Sequence, residues 1–329
     1  MGPLPKGIRS LIAAALCLAC ALSSSADTIH VPDDYTLKDA VAHASAGDTV
    51  LIAPGTYNEG TTLWLPSGIT LMSEDGNPAS VKIGGGNSRR VLRAENATGL
   101  SLVGVTIKHG KASGLDDDGA GFYCVDSQLS LDRVVFYQNT SESAGGGLYC
   151  TGSVVELTDC TFDNNEVGDI WFSNSGANYS GVGAGMYLEY GCTVNALRVT
   201  FVDKLTWWEA AGMGLRGSSA ELTDCSFINN VTYEPWGPIS PQYGGAILVT
   251  GGQLDLRGVT FERNFASTAG GAIDTWSDVS ITIEDCSFIE NEGGGAGGAL
   301  HLGLANGSLH VRESTFIGNV AGSNGGGAA

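Results

Sequence analysis

The chain has 329 residues, with 16 Lys and Arg against 35 Asp and Glu, for a net charge of −19. So negative a surface repels nucleic acid and anionic lipid and excludes both as partners, while it suits cations, calcium among them. With 49 Gly and no sustained 3.6-residue period through the body of the chain, a helical architecture is excluded as well.

Residues 1–26 read as a secretory signal. Lys6 and Arg9 form a basic start, Leu11 to Leu22 an apolar stretch, and Ser24-Ser25-Ala26 a small-residue cleavage site. The apolar stretch is too short for a bilayer span. Cleavage there removes two positive charges and takes the net charge to −21. No later apolar run has bilayer length, so the mature chain is expected to be secreted, extracellular or held at a cell surface, without a transmembrane span.

Residues 27–60 stand outside the repeat that follows. Asp34 or Thr36 can cap a short helix with Leu37, Ala40, Val41 and Ala44 on one face, ended by Gly47-Asp48. Thr49 to Ala53 suits a buried strand, and Pro54-Gly55-Thr56 turns the chain. The helix is expected to cover the open end of the strand stack, where unpaired backbone groups would recruit other chains.

The repeat occupies residues 61–329. Leu71, Val81-Lys82-Ile83, Val91-Leu92 and Leu100 to Ile107 form irregular early turns, and regular units begin near Gly119. Their anchors are Phe136, Phe162, Phe201, Phe227, Phe261, Phe288 and Phe316. Three residues after them stand Asn139, Asn165, Lys204, Asn230, Asn264, Asn291 and Asn319, so Lys204 is the exception. Gly-rich strand starts such as Gly145-Gly146-Gly147 and Gly270-Gly271-Ala272 lie between anchors, which are spaced by 26, 39, 26, 34, 27 and 28 residues. A period in that range means stacked units that cannot bury a core alone.

Within Val154 to Phe162 the apolar alternation breaks at Thr158-Asp159, the mark of two short strands meeting at a corner. Each unit therefore predicts one coil of about three strands stacked in parallel on its neighbours. Phe and Val or Cys fill the interior. The Asn belongs at a tight left-handed corner, its amide paired with the Asn one coil away.

Six cysteines follow residue 26. Cys160, Cys225 and Cys286 take a place that Val134, Val199 and Val259 hold in other units, so they read as small buried hydrophobes. Alternate coils keep them ~10 Å apart, too far to pair. Cys124 and Cys150 occupy equivalent positions in adjacent units and are the candidate disulfide.

The paired motifs Gly-Gly-Ala-Ile/Leu and Phe-x-x-Asn resemble the repeats of polymorphic outer-membrane proteins, surface adhesins of the autotransporter type. The segment Ile29-His30-Val31-Pro32 through Gly47-Asp48-Thr49 to Tyr57 is similar to the start of many secreted pectin-lyase-like proteins. The resemblance implies an all-β fold, a right-handed parallel β-helix solenoid with a short N-terminal capping helix. It is less specific for function, because that superfold hosts lyases, hydrolases, epimerases and inert adhesins. No membrane barrel follows the repeats and the last residues lack a cap, which leaves two alternatives, a truncated gene product or end-to-end self-association.

From anchor to the next Gly or Ala strand start the ordinary interval is 11 residues, but three consecutive units measure 23, 13 and 19, ending at Gly185, Gly214 and Ala246. Stacking predicts that these loops emerge side by side, carrying Trp171, Trp207, Trp208, Tyr233 and Trp236. A row of rings suits sugar faces, or a protein receptor. The expected function is adhesion or glycan binding without catalysis, the partner being a polysaccharide, a surface glycan or a receptor.

Asp116, Asp117 and Asp118 offer hard oxygen ligands for calcium, the one cofactor the sequence suggests, with Lys108, Lys111 and Arg133 near. That set is the basis of an alternative, a calcium-dependent polysaccharide lyase acting on uronate polymers; a non-catalytic scaffold or truncated fragment is a third reading. His30, His43, His109, His301 and His310 are scattered, without metal spacing or a triad partner in the sequence. Glycosylation sequons fall at Asn96, Asn139, Asn178, Asn230 and Asn306, and a ladder role at Asn139 and Asn230 would exclude a glycan.

Overall fold

The structure, a computed structural model, describes residues 26–114, 117–168, 182–206, 209–232, 243–303 and 307–322. Among these, one short helix accompanies parallel strands in three sheets of 17, 10 and 8 strands, here sheets 1, 2 and 3. A regular coil visits them in turn. Leu148–Thr151 and Val154–Thr158 lie in sheet 1, Thr161–Asp163 in sheet 2, and Glu166–Val167 in sheet 3. The result is a right-handed parallel β-helix.

Equivalent positions pair coil to coil without slippage along the anchor row, from Phe136↔Phe162 to Phe288↔Phe316. Their rings stack at centroid distances of 4.5 to 5.0 Å and within 11° of parallel. Phe136 to Phe288 are fully buried. Each ring removed from water contributes about 1.5–3 kcal/mol, and a one-residue slip of register would turn the whole row outward.

The Asn ladder runs beside this stack. Asn139 Nδ2 donates to Asn165 Oδ1 at 2.9 Å, and each amide also donates to the carbonyl of the anchor one coil back, Asn165 to Phe136 and Asn230 to Phe201. One expectation is corrected. The left-handed residue at this corner is the one before the Asn: Gln138, Asn164, Asp203, Asn229, Arg263 and Glu290 have φ of 50 to 53°. The Asn itself must aim inward to reach its carbonyl, so its neighbour turns the chain. Asn139 and Asn230 are fully buried, which leaves no room for a glycan on either.

At the N-terminal end, Thr36 caps the helix Leu37–His43 by accepting from the Asp39 amide at 3.2 Å. Leu37, Ala40 and Val41 are buried in the same core as Val31, Val50 and Ile52. Thr28–Val31 pairs with Thr49–Ile52, which pairs with Thr70–Ser73. The amphipathic stripe thus extends the solenoid core under the helix.

Candidate functional site

The second residue after each Gly or Ala strand start points to the outer face of sheet 1. Register joins Tyr123, Tyr149, Tyr187, Gly214, Leu248, Asp274 and His301 in one row, which continues backward to Arg93 and Trp64. The Arg93 guanidinium lies 4.7 Å from the ring centres of both Trp64 and Tyr123. Tyr123 stacks on Tyr149 at 5.2 Å. Strand pairing at ~4.8 Å is close to ring-stacking distance, which lets Tyr123 and Tyr149 stack, while Tyr149 and Tyr187 tilt by 34° with centroids 6.1 Å apart.

Toward the middle of the row the rings sink. Tyr149, Val182, Tyr187 and Leu248 form a second apolar cluster outside the barrel. The Tyr149 hydroxyl donates to Glu189, and burial pushes the phenols of Tyr149 and Tyr187 well up. Part of this aromatic surface therefore packs on itself.

Beside that cluster a cleft of about 330 Å³ opens, lined by Tyr187, Glu209, Gly214, Arg216, Leu248 and Trp276 among others. Gly214 lines it without a side chain where its neighbours carry Tyr and Leu, and Tyr187 and Val182 pack close over it: a Cβ there would meet Tyr187 Cδ2 at 2.7 Å and Val182 Cγ1 at 2.8 Å. Trp276 is 40% exposed and forms a wall, held edge-on by Tyr243 with ring centroids 4.3 Å apart. Burial raises the Glu209 carboxyl above the ordinary range while Arg216 pulls it down. Apolar rings with one acid and one base on the rim are the composition of a small-ligand site.

Trp171, Trp207, Trp208, Tyr233 and Trp236 all lie outside the described residues, but the roots of their loops are described. The segments Glu166–Val167, Leu205–Thr206 and Val231–Thr232 are neighbours in sheet 3. The chain returns at Val182, Glu209 and Tyr243, which bridge one another in parallel. All three connections thus leave and re-enter at one corner, next to the cleft. The count of enlarged loops is corrected from three to two. Met186 pairs with Met213, so the strand start of the middle coil is Gly212 and its interval is the ordinary 11 residues; Gly214 belongs to the outer row. Glycines at both positions hid the difference in the sequence.

Asp116 lies outside the described residues. The Asp117 carbonyl accepts from the Ser141 hydroxyl, and the Asp118 carbonyl accepts from Arg90 Nη2 at 2.6 Å. Burial pushes the Asp118 carboxyl up to about 6, with Ser143 opposing and Asp117 and Glu189 adding to the rise. Among the described residues no three carboxylates, thiols or imidazoles gather around one point, and Asp116, the third member of the candidate calcium set, lies outside them. Cys124 and Cys150 are direct register partners, buried, and present as thiols.

At the far end of the row, Asp274 is fully buried and its Oδ1 lies 3.0 Å from Nδ1 of His301, whose side chain is 37% exposed. Burial raises the Asp274 carboxyl, while its hydrogen bond raises His301. Sequence reasoning missed this pair because 27 residues separate them. The signal that would have found it is the shared offset from Ala272 and Ala299.

A family model described as a right-handed beta helix region matches residues 178–328. One described as a Chlamydia polymorphic membrane protein repeat matches residues 133–151. Among solved structures the chain is similar to the pectate lyase Pel9A at 13% identity, covering 92% of this chain and 82% of that one, with a TM-score of 0.55. It also aligns with PfbA, a surface adhesin of Streptococcus pneumoniae, at 11% identity over 85% of this chain and 86% of that one; the TM-score of 0.32 is too slight to bear on fold or function. No curated protein matches this chain. The chain is a right-handed parallel β-helix, and its residues 133–151 are similar to a polymorphic membrane protein repeat.

Proposed function

We propose that this β-helix is a secreted or cell-surface protein that binds glycan at the corner where sheet 3 hands over to sheet 1. The observation that carries the reading is the coincidence of two features at that corner. A cleft walled by Tyr187, Leu248 and Trp276 opens on the outer face, and connections rich in aromatic residues leave and return directly beside it. The exposed face of Trp276 can take the C–H side of a sugar, and Glu209 and Arg216 beside it suit its hydroxyls.

The lattice of coils also suits a polymer, since it repeats a binding position every ~4.8 Å along one face. The net charge of −19 favours a neutral or cationic glycan over a polyanion. Secretion rests on the basic and apolar opening of residues 1–26; no helix among the described residues is long and apolar enough to cross a membrane.

A glycan array followed by calorimetry on the best ligand tests the reading. Trp276→Ala, Thr250→Trp (which fills the cleft) and the double change Trp207→Ala with Trp208→Ala should each weaken binding by tenfold or more while the far-ultraviolet spectrum is unchanged. Binding equal to wild type in all three would remove this corner from consideration. Ultraviolet absorbance rising on polyuronates, and lost with chelator, would move the assignment to the lyase class.

A further inference from the structure

The position that supplies packing in other coils carries a carboxyl–imidazole pair at the end of the row. Tyr149, Tyr187 and Leu248 fill their places with apolar surface, whereas Asp274 puts a carboxylate in the same row, fully buried; its Oδ2 meets no donor in good hydrogen-bond geometry among the described residues, although the Thr275 backbone and the Trp276 side chain lie near enough to the carboxyl to oppose its rise in pKa. A buried carboxyl oxygen so poorly satisfied is unfavourable, so packing does not account for it. What the carboxylate does hold is one ring nitrogen of an imidazole. Its Oδ1 meets His301 Nδ1 at 3.0 Å, which orients the ring and leaves Nε2 as the free nitrogen of a partly exposed residue. Trp276, two residues along the strand from Asp274, is both the cleft wall and the neighbour of this pair; its register partner is Gly303, which has no side chain to cover it.

We propose that Asp274 and His301 form an acid–base dyad that hydrolyses an acyl ester carried by a ligand lying against Trp276. His301 is the catalytic residue and Asp274 a positioning residue. Nε2 accepts a proton from water as the water oxygen forms a bond to the ester carbonyl carbon. The tetrahedral intermediate then expels the alkoxide, the C–O ester bond breaks, and the proton passes from Nε2 to the departing oxygen. Water and ester become acid and alcohol, and the imidazole returns to its starting state. The buried carboxylate stabilises the imidazolium formed between the two steps.

The surroundings select this reaction over two others. Glycosidic cleavage asks for two carboxyl groups facing one bond. Asp274 is sealed and held by His301, and Glu209 lies two coils away. Elimination from a uronate asks for a cation beside the base to neutralise the sugar carboxylate. The register positions next to Asp274 and His301 hold Leu248, Trp276 and Gly303, and Arg216 stands further back, two coils before Trp276. A single oriented imidazole with water is sufficient for ester hydrolysis. That the ester is an O-acyl group on a sugar rests on the glycan reading above; the dyad itself does not.

The test uses the whole chain in imidazole-free buffer with 4-nitrophenyl acetate, followed by release of nitrophenolate, and in parallel acetylated xylan, followed by release of acetate. Wild type should turn over the small ester, and His301→Gln should lose about 100-fold or more of that rate. The rate should rise with pH as His301 deprotonates, with a midpoint above the ordinary histidine value. Asp274→Asn should move that midpoint down, a change that a merely structural role would not produce. If Asp274→Asn does not fold, the His301→Gln loss and the wild-type profile decide the matter. Small-ester turnover without acetate release from xylan would support the dyad and count against a sugar as its substrate. No turnover above that of His301→Gln would overturn the dyad, whatever the glycan array shows.

Discussion

Lys204 donates from Nζ to the carbonyl of Phe162, the bond that every neighbouring ladder Asn makes with its amide to the anchor one coil back. It donates also to the Val202 carbonyl at 2.7 Å, is 1% exposed, and burial drives its amine well below the usual lysine range. A lysine can imitate the donor of the amide but has no acceptor to offer. The ladder is therefore cut: Asn165 finds no amide oxygen at position 204, and because the Lys204 ammonium turns to the Phe162 and Val202 carbonyls, Asn230 Oδ1 is left buried without a donor.

Lys204→Asn should restore the ladder and stabilise the fold by about 1–3 kcal/mol. The pH dependence has a definite sign. With the folded pKa below the unfolded value of 10.5, the unfolded chain binds the extra proton between the two, so wild-type stability rises with pH through that window. The variant should lack this rise. Urea midpoints for both proteins from pH 7 to 10 decide it, and parallel curves would mean that the amine does not titrate on unfolding.

Asp118 should act in the opposite direction. Its folded pKa of about 6 exceeds the ordinary 3.8, so the folded state holds the proton between those values and stability falls as pH rises from about 4 to 6. Asp118→Asn should flatten this segment and add on the order of 1–2 kcal/mol at neutral pH, an amount reduced from the full shift because solvent screens a partly exposed group. Denaturation at pH 4 and pH 7 measures it; equal wild-type midpoints would discard the claim.

Phe201→Ala should cost about 3–5 kcal/mol, because the ring is stacked on both sides, 4.8 Å from Phe162 and 4.5 Å from Phe227, and leaves a cavity in a column that cannot close. Phe316→Ala, at a partly exposed ring stacked on Phe288, should cost much less. A similar urea shift for the two would argue against the stack as the main support.

Cys124 and Cys150 share a register position on adjacent strands, whose ~4.8 Å separation falls within disulfide reach. On mild oxidation this pair should close, and peptide mapping without reductant should recover one cross-linked fragment. Cys160, Cys225 and Cys286, one in each alternate coil, should stay reduced. Recovery of Cys124 and Cys150 as separate thiols after oxidation would exclude the bond.

The candidate site was only half legible in the sequence. The enlarged corners could be counted because an insertion shows as a break in a period, yet Gly212 and Gly214 were indistinguishable until pairing of Met186 with Met213 fixed which one begins the strand. Tyr123, Tyr149 and Tyr187 were passed over for a related reason. Each sits in an apolar run whose alternation says that one residue in two faces out, without saying whether the outward face is bare or covered.

The sequence by itself determined the column. A Phe every coil, an Asn three residues on, and Gly where backbones meet admit one stacking register, because a slip would expose seven rings at once. Only the tertiary structure decided the surface chemistry. His301 and Asp274 are 27 residues apart along the chain, and they touch because parallel coils set equal offsets side by side. Burial of the carboxylate then gives the imidazole its orientation, and burial depends on what lies above a residue, a property that no period in the sequence encodes.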